Sequence, residues 1–94
     1  MADKIDPNVK EALKVFNDQA KFDACVAKTF AGKTEITVAE FKKMVDDTLT
    51  SLKQSPSPQE KVDTFLKLFG HDTKSNISKD KFVSMFQQFL KLCN

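Results

Sequence analysis

The chain has no arginine, no tryptophan and no tyrosine, and only two glycines, three prolines, two cysteines and one histidine. Each scarcity removes a class of function. Without arginine there is no bidentate fork of the kind that phosphate and guanine recognition favours. The fifteen basic residues are all lysines, the formal net charge is only +2, and no nucleic-acid partner is expected. Cys25 and Cys93 stand far apart, too few for a disulfide scaffold, and read as reduced thiols, Cys25 in the core and Cys93 toward the surface. His71 has no Cys or His nearby in sequence, so a zinc site lacks support. No apolar run approaches the roughly 18 residues of a membrane span. The opening MADKIDPNVK has no apolar h-region, so no signal peptide is expected and the expected location is cytoplasmic. No Ser/His/Asp, Cys/His or paired-carboxylate set stands out, nor any glycine-rich phosphate loop. No enzyme is expected.

What is abundant is phenylalanine, nine in 94 residues, with 40% hydrophobic and 30% charged residues overall. That composition fits one folded domain with a modest core. Few turn residues and many long apolar side chains point to an all-α fold. Helix signals are dense. Asp6-Pro7 reads as N-cap and first helical residue, followed by Val9, Leu13 and Phe16 at helical spacing. A second set, Phe22, Val26 and Phe30, does not continue that stripe. Two helices, or one long helix with a change of face, remain open between them. Thr37 and Glu40 in TVAE form a capping box for a helix carrying Phe41, Met44, Val45, Leu49 and Leu52. Ser57, Pro58 and Glu60 read as a second capping box, after a hinge at Ser55-Pro56, for a helix ending at Gly70. Cap and hinge chemistry is the preferred reading of SPSP (55–58), with phosphorylation at Ser55 or Ser57 the alternative. Ser78 caps the last helix, which is apolar on two faces and runs through Phe82, Val83, Met85, Phe86, Phe89, Leu90 and Leu92.

A weak repeat of period 41 underlies this order. Ile36 matches Ile77, Thr37 matches Ser78, Phe41 matches Phe82, and Met44 matches Met85. Helix–loop–helix repeats exist where neither half can bury its apolar face alone.

From about residue 22 to 93 the sequence resembles a degenerate pair of EF-hands, the helix–loop–helix unit of calmodulin and the myosin light chains. FLKLF (65–69) resembles an incoming helix, GHDTKSNISKDK (70–81) the twelve-residue loop, and Phe82 opens the outgoing helix. ITVAEF (36–41) resembles the second half of a first loop. The resemblance implies an N-terminal helical segment (1–21), a first hand (22–53), a hinge (54–58) and a second hand (59–94). It also implies a short β contact between the loops through Ile36 and Ile77.

Calcium takes six to eight oxygens, from loop positions 1, 3, 5, 7, 9 and 12, with Gly at 6 and a bidentate Glu at 12. The second loop has Gly70 at position 1, Asp72 at 3, Lys74 at 5, Ser75 at 6, Ser78 at 9 and Lys81 at 12. Two ammonium groups in a cation site oppose binding. The first loop starts at Thr29 if it is twelve residues long, is two residues short if Phe30 ends the incoming helix, and is carbonyl-rich if it starts at Ala27. Glu40 closes it in each case, with the capping box its preferred role. No metal or other cofactor is therefore expected. Glu40 and Asp72 are the remnants, and weak calcium binding at the first loop stays open.

The resemblance further implies a calcium-independent adaptor of the light-chain type. Its groove would be lined by Phe41, Met44, Val45, Phe65, Phe69, Phe82, Met85, Phe86 and Phe89. It would hold an amphipathic, IQ-like helix of a larger protein such as an unconventional myosin. Targets of this family are usually basic, and only Glu35, Glu40, Asp46 and Asp47 offer an acidic face. The alternatives are a symmetric homodimer using the wide apolar face of 82–93, and a weak calcium sensor through the first loop.

Overall fold

The computed structural model describes residues 5–93. Among these the chain is mostly helical. It has α1 (Pro7–Lys14), a 3₁₀ turn (Val15–Asn17), α2 (Gln19–Phe30), β1 (Glu35–Ile36), α3 (Val38–Ser51), α4 (Gln59–Leu68), β2 (Ile77–Ser78) and α5 (Lys79–Cys93). The side chain of Cys93 lies outside the described residues, so its expected exposure is not addressed. No described helix is long and apolar enough to cross a membrane.

The helix starts follow local chemistry. Asp6 Oδ2 accepts from the Asn8 and Val9 N–H groups, and Pro7 stands in the first turn of α1. The choice left open at residues 17–19 resolves as two helices. The 3₁₀ turn ends α1, and Asp18 in extended conformation caps α2 by accepting from the Ala20 and Lys21 N–H groups. Asp18 can do this because a short carboxylate reaches the orphan amides of a first turn. The capping box at Thr37 and Glu40 forms as read: Glu40 N–H donates to Thr37 Oγ1 at 3.1 Å, and Thr37 N–H to Glu40 Oε1 at 2.9 Å. Ser78 Oγ accepts from the Lys81 N–H at 3.1 Å and caps α5.

The expected box at Ser57 does not form. Pro58 is the N-cap of α4 and supplies no side-chain cap. Ser57 is buried instead. Its N–H donates to Asp46 Oδ1 at 3.3 Å and its hydroxyl to Asp6 Oδ2 at 3.5 Å. A buried hydroxyl must find a partner; here it donates to the Asp6 carboxylate at the start of α1, while Asp46 on α3 accepts the Ser57 amide. Ser57 thereby ties the α3–α4 linker to both.

The helix ends use left-handed residues. After α4, Gly70 has φ +73°; its N–H bonds Lys67 O and the His71 N–H bonds Leu66 O. This pairing satisfies carbonyls that the last turn leaves open. The same pattern closes α3, with Gln54 N–H on Leu49 O and Lys53 N–H on Thr50 O, but there the left-handed residue is Lys53 at φ +61°.

The two strands pair antiparallel, Glu35 opposite Ser78 and Ile36 opposite Ile77. The two isoleucines are buried, and the pair joins the loop between α2 and α3 to the loop between α4 and α5. Lys79 N–H extends the link to Thr34 O at 3.0 Å. The core runs beneath this ribbon. Phe41 and Phe82, one turn into α3 and α5, meet edge to face at 6.0 Å. α1 packs against α3 and buries Ile5, Val9, Ala12 and Leu13.

A non-glycine residue in the left-handed region carries about 1–2 kcal/mol of strain, partly offset by glycine's freer unfolded state. Lys53→Gly is expected to stabilise the fold by about 0.5–1 kcal/mol, raising the midpoint of thermal unfolding by ~2–8 °C. Circular dichroism melts against a Lys53→Ala control, which keeps the strain, check this.

Candidate functional site

The nine residues expected to line a groove are all buried: Phe41, Met44, Val45, Phe65, Phe69, Phe82, Met85, Phe86 and Phe89. They belong to the core, and only Met44 among them borders an open cleft. The cover comes from the chain's own first third. Phe16 meets Phe86 edge to face at 5.7 Å, and Phe22 lies 6.0 Å from Phe82 and 5.2 Å from Phe86. On the other side of α5, Phe89 meets Phe65 at 5.8 Å. Both apolar faces of α5 are thus covered within the chain from Phe82 to Phe89. Among the described residues the large apolar side chains left exposed are Leu52 and Leu92, each 39% accessible.

The loops are held by lysines. In the first, α2 ends at Phe30 and Ala31 and Gly32 turn the chain with φ of +49° and +84°, which selects the short form of this loop. Lys33 Nζ donates to Glu40 Oε2 at 2.5 Å. Both oxygens of Glu40 are therefore engaged, one by the Thr37 amide and one by an ammonium. These bonds hold the Glu40 carboxyl below its ordinary value, the Lys33 bond first and the Thr37 amide second. In the second loop Lys81 Nζ reaches back across the turn and donates to Phe69 O at 3.0 Å. This links the first turn of α5 to the end of α4. Asp72 Oδ1 accepts from the Lys74 N–H at 2.8 Å and Oδ2 from the Ser75 hydroxyl at 3.2 Å. The Lys74 amide and then the Ser75 hydroxyl pull its carboxyl below the usual range. His71 Nε2 sits 3.0 Å from Ser75 O. Glu40 and Asp72 thus serve separate turns, and no group of three His, Cys, Asp or Glu among the described residues is placed to hold a metal ion.

One open concavity has an apolar floor. It is a cleft of about 690 Å³ between α2 and α3, lined also by Val15 and Phe16. Ala24, Cys25 and Thr29 come from α2, and Met44, Thr48 and Leu52 from α3 and its end. Met44 is the one member of the expected groove that borders it. Cys25, expected in the core, is half-buried on the cleft wall, with Sγ 3.6 Å from Thr29 Oγ1. Burial raises its thiol pKa, so at neutral pH it is a small apolar wall residue and a poor nucleophile.

Of the expected acidic face, Glu40 is bonded by Lys33 and Asp46 by Lys42 and the Ser57 amide, Glu35 Oε1 accepts from the neutral Asn76 Nδ2 at 2.8 Å, and Asp47 lines the cleft. Sequence reasoning missed the roles of Lys33 and Lys81 because a lysine at a ligand position signals a lost site, and its new partner is seen only in space. It also missed the cleft. The available signal was Lys21 and Lys28, two helical turns apart, flanking the small residues Ala24 and Cys25. Compared with protein-family models, with curated proteins and with solved structures, the chain matches none.

The Glu40 bonds generate a pH dependence of known sign. A carboxyl whose folded pKa lies below its unfolded value contributes stability above the unfolded value and loses it as pH falls through the folded one. Glu40→Gln keeps the capping box and removes the charge. It is expected to be less stable than the parent at pH 7. The gap should close as pH falls below about 4.5, the ordinary glutamate value, when followed by urea unfolding from pH 7 to pH 3.

Proposed function

We propose that the chain is a calcium-independent pair of EF-hand-like units of the light-chain or adaptor type. It works without catalysis and holds an amphipathic helix of a larger protein in the cleft between α2 and α3. The observation that carries the reading is the ribbon register. Ile36 pairs with Ile77, and these are the residues that the 41-residue repeat makes equivalent. Two helix–loop–helix units joined loop to loop at equivalent positions are what the EF-hand resemblance implies.

The lysine ties support calcium independence. In the family, a metal and a final Glu draw the outgoing helix onto the loop. Here Lys81 bonds the Phe69 carbonyl and Lys33 bonds Glu40, so each loop carries its own cation. The packing of α1 against α3 supports a lobe of fixed opening, since its apolar side is covered at all times.

The cleft supports helix capture. α2 borders it from Lys21 to Thr29, about 12 Å at 1.5 Å per residue, which matches two turns of a partner helix. Met44 and Leu52 offer adaptable apolar contact. An IQ-like helix, such as that of an unconventional myosin, is one ligand of this shape. A homodimer through α5 has less to draw on, because both apolar faces of α5 are covered within the chain from Phe82 to Phe89.

A fourteen-residue helical peptide with a Leu/Met/Phe stripe and a glutamine polar face tests the reading. Amide resonances of Ala24, Cys25, Thr29, Met44, Thr48 and Leu52 are expected to shift saturably, with the protein monomeric in sedimentation. Shifts confined to α4 and α5, or no saturable binding, would contradict it.

A further inference from the structure

From the charges around this cleft we infer that the partner helix is acidic along one edge, which sets it apart from a basic IQ-like helix. The inference rests on the reading of the cleft as a helix dock and adds the chemistry of the occupant. Four lysines line the cleft, Lys21, Lys28, Lys33 and Lys43, against two carboxylates, Glu40 and Asp47. Lys33 and Glu40 are bonded to each other. Three lysines then face one aspartate.

Their placement is specific. Lys21 and Lys28 are seven residues apart on α2, so they lie on one face about 10 Å apart along the axis. Both are exposed, and between them Ala24 and Cys25 keep the wall low. On the α3 side Lys43 and Asp47 stand one turn apart. The α2 edge is therefore uniformly basic, while the α3 edge is mixed. A helix laid in the trough meets this pattern with apolar residues at i, i+3 or i+4, and i+7. Glu or Asp two turns apart on one flank would face Lys21 and Lys28.

A polyanion such as nucleic acid would leave the apolar floor unused. An alkyl carboxylate would use one lysine and leave the others unanswered. Rim charges of this kind set orientation and partner choice, and their contribution falls with salt.

The test uses two variants of the glutamine-faced peptide, with the flank residues changed to Glu in one and to Lys in the other. In about 20 mM salt the acidic peptide is expected to bind at least ~10-fold tighter than the basic one, narrowing to within about twofold at ~0.5 M. The double variant Lys21→Glu/Lys28→Glu, at exposed positions that leave the melting temperature within a few degrees, is expected to reverse the order. Equal binding of the two peptides, or tighter binding of the basic one, overturns the inference while leaving helix capture standing. Failure of all three peptides to bind overturns both. Tighter saturation of the cleft by dodecanoate than by the acidic peptide, or a dimer sealed through this cleft, also overturns the inference.

Discussion

Two residues per strand, Glu35–Ile36 and Ile77–Ser78, fasten the two halves of the chain, and both isoleucines are completely enclosed. A one-residue slip would turn them outward, so burial fixes the register that hydrogen bonds alone would not. Thr37 and Ser78 follow at once as helix caps, which sets where α3 and α5 begin. Phe41 and Phe82 then arrive one turn later on facing sides and meet. The directions of the two outgoing helices, the aromatic centre between them and the cleft along α3 all depend on this pairing.

The two loops differ in length and are held by different bonds. One closes through an ion pair between Lys33 and Glu40, the other through an ammonium on a main-chain carbonyl. A bound metal stabilises a loop by an amount that grows with the logarithm of its concentration over its dissociation constant. A lysine tethered within the same loop is always present. In the proposed reading the pair does not switch with the surrounding cation level. α1 buries Val9, Ala12 and Leu13 and packs against α3. What is left open is the shallower trough between α2 and α3.

Much of the frame was legible in the sequence, and the reason is locality. The caps at Asp6, Thr37 and Ser78, the stop at Gly70 and the 41-residue spacing of Ile36 and Ile77 are each written in a few neighbouring residues or in a simple repeat. The site was less legible because its determinants are distant. Nothing near Ser57 announces that it will be buried and donate to Asp6 and Asp46 while Pro58 becomes the N-cap of α4. The aromatic residues of α3, α4 and α5 carry the pattern of a groove as well as that of a core. Only the position of α1, Phe16 and Phe22 shows that they are the core. The acids at 40 and 46 look like part of an available face until Lys33 and Lys42 are found on them. Charge on a linear sequence counts residues, whereas recognition depends on the charges left after internal pairing.

In the proposed reading, lysines hold both loops without metal. The most direct measurement is the thermal midpoint of the chain in chelator and in about 5 mM calcium, with ionic strength matched. A tethered cation predicts midpoints that agree within ~1 °C, because a ligand that does not bind the folded state does not shift it. A rise of several degrees that saturates with calcium and disappears in Glu40→Gln would contradict the account.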